Sequence, residues 1–251
     1  MEIQIAVAKI NQYGSSESGD TLEIVERPNG GISIVMADAL SSGKNAKIVS
    51  TTIVRKVIGL IAAGVRDGAA ARAASDALYT ERNGESAACL NVLSVDLQTG
   101  TLVLSRNNPT PVFVSQGDRI ECLSGESLPI GNARNIRPAI SEISIVADTV
   151  IVMYTDGMVK AGKSSRESLD ICTLLSSMLE EQEPHPQEIA DTLLAEAIRM
   201  DHGQPNDDMS VVVLRVSAQE KDNIRRMTVR LPFETDTETS SWYQSSELPS
   251  A

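Results

Sequence analysis

The order in which strand-like and helix-like periodicities follow one another restricts the fold of this chain more than any other feature. Residues 2 to 10 (EIQIAVAKI), 21 to 27 (TLEIVER) and 31 to 37 (GISIVMA) are short and rich in Ile and Val. Clusters of Gly, Ser, Asn and Pro separate them, and "RPNGG" at 27 to 31 reads as a hairpin turn. Apolar residues at helical spacing then run from Lys44 to Ala63, and an Ala-rich helix follows from Asp67 to about Tyr79. Strand character returns at 89 to 107 and 111 to 123, with hairpins across "QTG" and "QGD", and again at 140 to 147 and 149 to 155. Two more helices fit 166 to 181 and 186 to 201, the second with Pro186 in its first turn, and a last strand covers 209 to 216. Strands and helices are segregated rather than alternating, which favours an α+β fold over a doubly wound parallel sheet. The expected architecture is a four-layer α-β-β-α sandwich, two antiparallel sheets flanked by helix pairs.

No obvious linker interrupts the chain before about residue 216, so residues 1 to 216 are expected to form one domain. Residues 217 to 251 read as a polar extension, with an edge strand at 225 to 232 followed by a mobile acidic, Ser/Thr-rich tail. Aromatic residues make up only 3% of the chain, so the core must be built from Ile, Val, Leu, Ala and Met. A formal net charge of −12 repels nucleic acid and anionic lipid, and no basic cluster relieves it. Cys89, Cys122 and Cys172 lack the paired spacing of a zinc site or disulfide framework and read as buried small hydrophobes in a reducing compartment. The first ten residues alternate polar with apolar, unlike a signal peptide, and the longest apolar run, "VIGLIAAGV", is too short to cross a bilayer. A cytoplasmic protein without a membrane span is expected.

Four aspartates stand at strand ends or in adjoining turns: Asp20 in "SGDT", Asp38 in "VMADAL", Asp156 in "VMYTDGM" and Asp207 in "PNDDMSVVV". Each alone reads as an ordinary turn or helix-cap residue. Four in equivalent places point to a shared site. Clustered carboxylates repel and take up protons unless a divalent cation lets them stay charged and close together. No array of Lys or Arg near these motifs offers an alternative counter-charge. With neither His nor Cys in them, the ligand set is all oxygen, which selects Mg²⁺ or Mn²⁺ over zinc or copper. A pair of such ions can activate a water for in-line attack on phosphorus.

"SGDT", "MADALSSG", "YTDGM" and "NDDMSVVVL" resemble, in order and rough spacing, the metal-dependent protein phosphatases (PPM, protein phosphatase 2C type). Within that family they look most like the bacterial branch of sporulation stage II protein E and the sigma-factor regulatory phosphatases. "GTLVLSRNNPTPVFV" and the "LPIG" element at Leu128 to Gly131 extend the similarity, which covers about residues 3 to 216. The resemblance implies a serine/threonine phosphoprotein phosphatase that uses a metal-activated water. Asp38 would bridge two Mn²⁺ or Mg²⁺ ions, the Ala39 carbonyl would complete one coordination sphere, and Asp20 and Asp156 would bind on either side. Asp207 aligns with the last ligand and Asp208 with its neighbour. A phosphorylated anti-anti-sigma or stressosome-type regulatory protein is the implied substrate, and the helices at 44 to 63 and 67 to 79 lie where that branch places a regulatory switch.

The chain departs from the pattern at Ala39, where the family commonly has Gly, and at "SSG" (41 to 43), often Gly-His-Gly. A positive φ at position 39 would strain Ala. That departure motivates a second reading, a catalytically silent phosphatase-fold module that binds a regulatory partner. Lys9 and Lys44 are candidates to grip phosphate by their nearness to the motifs. His202 is either a proton donor to the leaving oxygen or, as the preferred reading, an exposed residue at a helix C-terminus. An aspartyl-phosphate hydrolase is set aside, because its second Asp would fall at Met158.

Overall fold

A computed structural model describes residues 1–41, 43–117, 119–163, 167–181, 183–218 and 224–232. The chain divides into two compact units, Met1–Gln219 and Glu220–Ala251.

Among the described residues of the first unit, ten strands form two five-stranded sheets in which every pairing is antiparallel. The strands are β1 (Glu2–Ile10), β2 (Thr21–Glu26), β3 (Ile32–Ala39), β4 (Ala88–Asp96), β5 (Thr101–Asn107), β6 (Val112–Gln116), β7 (Arg119–Leu123), β8 (Ala139–Ser144), β9 (Val150–Tyr154) and β10 (Met209–Ser217). One sheet has the order β1-β10-β9-β6-β7, the other β2-β3-β4-β5-β8. The "RPNGG" turn closes through Arg27 N–H to the Gly31 carbonyl at 2.7 Å and sets Glu26 opposite Ile32. Asp118 of the "QGD" hairpin lies outside the described residues, but its flanks pair as expected, Gln116 opposite Arg119.

Five described helices complete the unit: α1 (Gly43–Ala62), α2 (Asp67–Arg82), α3 (Asp156–Lys160), α4 (Ile171–Glu181) and α5 (Pro186–Met200). α1 packs on β2 and β3 with α2 beside it, while α5 packs on β1 and β10 with α4 beside it. Three apolar layers result. Val49, Ile53, Val57 and Ile61 of α1 meet Val35 and Ala37 of β3 in one, and Leu193 and Ala197 of α5 meet Val211 and Val213 of β10 in another. Ile34, Leu93 and Leu104 meet Ile151, Met153 and Val212 in the layer between the sheets. Period-2 alternation in strands buried on both faces sends one set of side chains to the helices and the other to the opposing sheet. The expected four-layer α-β-β-α sandwich is therefore the observed one.

Several expectations need correction. α3 is an addition, since five residues beginning Asp-Gly carry no readable period. α4 starts at Ile171 rather than 166, because Asp170 caps it, its carboxylate accepting from the Thr173 N–H at 3.0 Å. Residues 164–166 lie outside the described residues. α2 runs to Arg82 before Asn83 ends it in the left-handed conformation. Cys89 alone is buried; Cys122 sits on the exposed strand β7 and Cys172 in the first turn of α4. In the second unit, residues 224–232 form no strand; Arg225, Arg226, Arg230 and Pro232 suit a solvated segment rather than a ladder. The tail after residue 232 lies outside the described residues.

One buried ion pair fastens α2 to the sheet beneath it. Arg27 Nη1 donates to Asp67 Oδ1 at 2.6 Å and to the Ser33 and Ser94 hydroxyls at 3.0 and 2.9 Å. Asp67 is 5% exposed, so Arg27→Ala strands a buried charge. We expect that variant to lose about 3 kcal/mol of stability in urea melts; a loss under about 1 kcal/mol would show that water reaches the pair.

Candidate metal centre

Each sheet delivers two carboxylates to one end of the sandwich. Asp20 immediately precedes β2 and Asp38 is the penultimate residue of β3, in one sheet; Asp156 opens α3 just after β9 and Asp207 stands two residues before β10, in the other. Asp38 feels the charges of Asp20, Asp156 and Asp207 together, so the four expected residues do converge.

Asp20 is held from the opposite sheet. Its Oδ2 accepts from the Thr155 hydroxyl at 2.9 Å and the Ser210 hydroxyl at 2.6 Å, while Oδ1 is buried without a hydrogen-bond partner. An orphaned, fully buried carboxylate oxygen is costly, and a cation is the partner its chemistry calls for. Asp38 makes no side-chain hydrogen bond among the described residues and lies opposite Cys89 in the β3–β4 ladder. Ala39 remains in β3 without a positive φ, so no strain of that kind arises; its carbonyl accepts from the Ser41 N–H at 2.7 Å.

The adjacent aspartates of the last motif separate cleanly. Asp208 is spent on the backbone, accepting from the Gln12 N–H at 2.9 Å and the Gly19 N–H at 2.7 Å. Asp207 turns toward Asp156, and the Lys160 ammonium joins them, 2.6 Å from Asp207 Oδ2 and 2.8 Å from Asp156 Oδ1. The expectation that no array of Lys or Arg near these motifs offers a counter-charge therefore needs correction. The i,i+4 spacing of Asp156 and Lys160 exposes it once α3 is recognised. Two more lysines converge on the Asp20 carbonyl, Lys9 at 2.6 Å and Lys47 at 3.0 Å. Lys47 thus takes the place expected of Lys44, which is exposed in the first turn of α1. His202 is exposed just past α5, in the left-handed conformation, as the preferred reading had it.

Among the described residues no three His, Cys, Asp or Glu side chains already stand as a metal cage. Lys160 separates Asp156 from Asp207, and Asp20 leans on Thr155 and Ser210. The all-oxygen donor set and the orphaned Asp20 oxygen nevertheless fit a hard divalent cation.

Burial pushes the Asp20 carboxyl up to about 6, against the hydrogen bonds from Ser210 and Thr155 and the charge of Lys9. Burial, then repulsion from Asp20, Asp156 and Asp207, pushes Asp38 up to about 9. An unfolded Asp titrates near about 4, so above that pH the folded protein holds protons the unfolded chain has lost, and stability falls as pH rises through this window. Metal-stripped protein is expected to melt several degrees lower at about pH 8.5 than at about pH 5.5, with millimolar Mn²⁺ removing most of the difference. A melting temperature that climbs with pH would contradict the crowding of these carboxylates.

The family model of stage II sporulation protein E (SpoIIE) matches residues 28–217. The chain belongs to the SpoIIE family. The stage II sporulation protein E of Priestia megaterium is 25% identical over 214 residues, 85% of this chain and 36% of that protein. The chain thus spans about a third of that SpoIIE protein's length. The solved PP2C phosphatase domain of Bacillus subtilis SpoIIE, with a fragment of its regulatory domain, superposes with a TM-score of 0.72 at 24% identity, covering 86% of this chain and 63% of that one. The catalytic domain of the serine/threonine protein phosphatase PstP, solved with two manganese ions, gives 0.66 at 14% identity over 86% of this chain and 98% of that one. The fold of this SpoIIE family member is the PP2C fold. Its described helices include none long and apolar enough to cross a membrane.

Proposed function

We infer that this chain is a metal-dependent protein phosphatase that hydrolyses phosphoserine or phosphothreonine with the help of Mn²⁺ or Mg²⁺, two ions being the expected complement. The observation that carries the reading is the meeting of Asp20, Asp38, Asp156 and Asp207 at one end of the sandwich, with a buried Asp20 oxygen lacking a partner. Membership of the SpoIIE family and the two manganese ions of PstP support it.

Asp20, Asp38, the Ala39 carbonyl, Asp156 and Asp207 would hold the ions. Bound there, they would supply Lewis-acid polarisation of a phosphoryl group and a lowered pKa for a water nucleophile. Thr155 and Ser210 keep the Asp20 carboxylate aimed into the site, and Asp208 pins Gly19, so the "SGD" turn cannot swing away. Lys9 and Lys47 add positive charge beside Asp20, where a phosphate would be drawn. The substrate is a phosphorylated regulatory protein of the anti-anti-sigma or stressosome type in the bacterial cytoplasm.

The silent-module reading draws on Lys160, which already neutralises two of the four carboxylates. One assay separates the readings. Metal-stripped protein is mixed with a phosphoserine peptide, with and without millimolar Mn²⁺. Turnover that appears with manganese and disappears in EDTA is expected. Folded protein without turnover under any condition favours the silent module, and undiminished turnover in EDTA overturns the metal mechanism.

A further inference from the structure

Lys160 is more than a surface ion-pair partner. An i,i+4 pair with Asp156 inside a five-residue helix would by itself contribute little. Its second partner, Asp207, is 47 residues away in sequence, on the approach to β10. The ammonium therefore clamps two elements together, and does so through the carboxylates that would hold one of the ions. It is also the cation that offsets the negative surroundings of Asp38.

We propose that Lys160 is a built-in substitute for one of the two cations: its ammonium holds Asp156 and Asp207 together in the metal-free protein, and the incoming ion must displace it. This rests on the metal-phosphatase reading above. Two observations converge on it. Asp156 and Asp207 share Lys160 rather than two separate partners. Lys160 is 40% exposed, so its four-carbon stem has open solvent into which to swing.

The physical consequence is a competition. A divalent ion gains about twice the attraction of an ammonium at equal distance, but it must shed water and evict a charge already in place. The ammonium lowers metal affinity and in exchange keeps the empty ligand set from flying apart. Removing its charge therefore shifts two quantities in opposite directions: metal affinity rises while the metal-free fold weakens. A side chain that served only packing, or only the substrate, would not couple the two.

The test is calorimetric titration of Mn²⁺ into the metal-stripped full chain, wild type against Lys160→Met and Lys160→Arg, with thermal melts of each in EDTA. Lys160→Met should bind Mn²⁺ about tenfold more tightly and melt several degrees lower without metal, whereas Lys160→Arg should stay near wild type in both. Should the methionine variant not fold without metal, Lys160→Gln carries the same expectation. Equal or weaker Mn²⁺ affinity in the charge-removed variant overturns the role of Lys160. So does lost turnover with unchanged affinity, which would assign Lys160 to the substrate phosphate. Manganese uptake by none of the proteins overturns the metal reading itself, and this proposal with it, and is told apart by the silent wild-type titration.

Discussion

Asp38→Asn is expected to remove manganese-dependent turnover, by about 10³-fold or more, while making the metal-free protein more stable. The two effects share one cause. Asp38 sits at the end of β3 where Asp20, Asp156 and Asp207 all repel its charge, and burial adds to the cost of ionising it. A neutral amide of the same shape ends that repulsion, and at about pH 8 the gain should be roughly 2–4 kcal/mol in EDTA. The same amide is a poorer ligand for a hard divalent cation than a carboxylate, so metal affinity and turnover are expected to fall together. Opposite signs distinguish a site residue from a structural one, since a misfolded variant would lose activity and stability together. Initial rates with a phosphoserine peptide and melts in EDTA measure both. Turnover retained within about tenfold of wild type, or a lower melting temperature, would count against this role.

Gly157→Ala is expected to be strongly damaging although it replaces a single hydrogen by a methyl group. A Cβ at this position would collide with the Asp208 carbonyl oxygen and come within 3.3 Å of the Met209 side chain. The obstacle is backbone at the start of β10, so no rotamer change relieves it. Either α3 or the "NDDM" turn must retreat, which parts Asp156 from Asp207 and slackens the Asp208 tie to Gly19. We expect a loss of about 3 kcal/mol in urea unfolding together with weakened Mn²⁺ binding. The glycine of "TDG" is thus needed for closeness, and not for a left-handed backbone, since its φ is not positive. Wild-type stability in this variant would show that the two turns can separate freely.

The layered fold and the four carboxylates are legible in the sequence because both follow from short-range pattern. Alternating Ile and Val between turn residues marks a strand whatever it pairs with, and an Asp directly after such a run must stand at a sheet end. The features that stay hidden depend on distance or on brevity. α3 has too few residues to show a period, and without it Lys160 looks like any polar residue in a loop. Asp207 and Asp208 are neighbours of the same type, and only the placement of Gln12 and Gly19, nearly two hundred residues away, separates their tasks. Thr155 and Ser210 lie in motifs already singled out for their aspartates. Their hydroxyls cannot be paired with Asp20 until β9 and β10 are seen side by side. The exposure of Cys122 likewise follows from β7 being a sheet edge, a fact of topology rather than of local composition.

β1, near the start of the described chain, pairs with β10, which ends at Ser217, and Asp208 ties the turn after β1 to the turn before β10. A nascent chain leaving the ribosome therefore carries its first strand without its ladder partner until β10 has been made. β2, β3 and the two helices that follow them can collapse earlier, but Asp156 comes only after β9 and Asp207 only just before β10. Ions present during synthesis meet an incomplete ligand set until Asp207 and β10 have been made, so the four carboxylates can come together only after that strand.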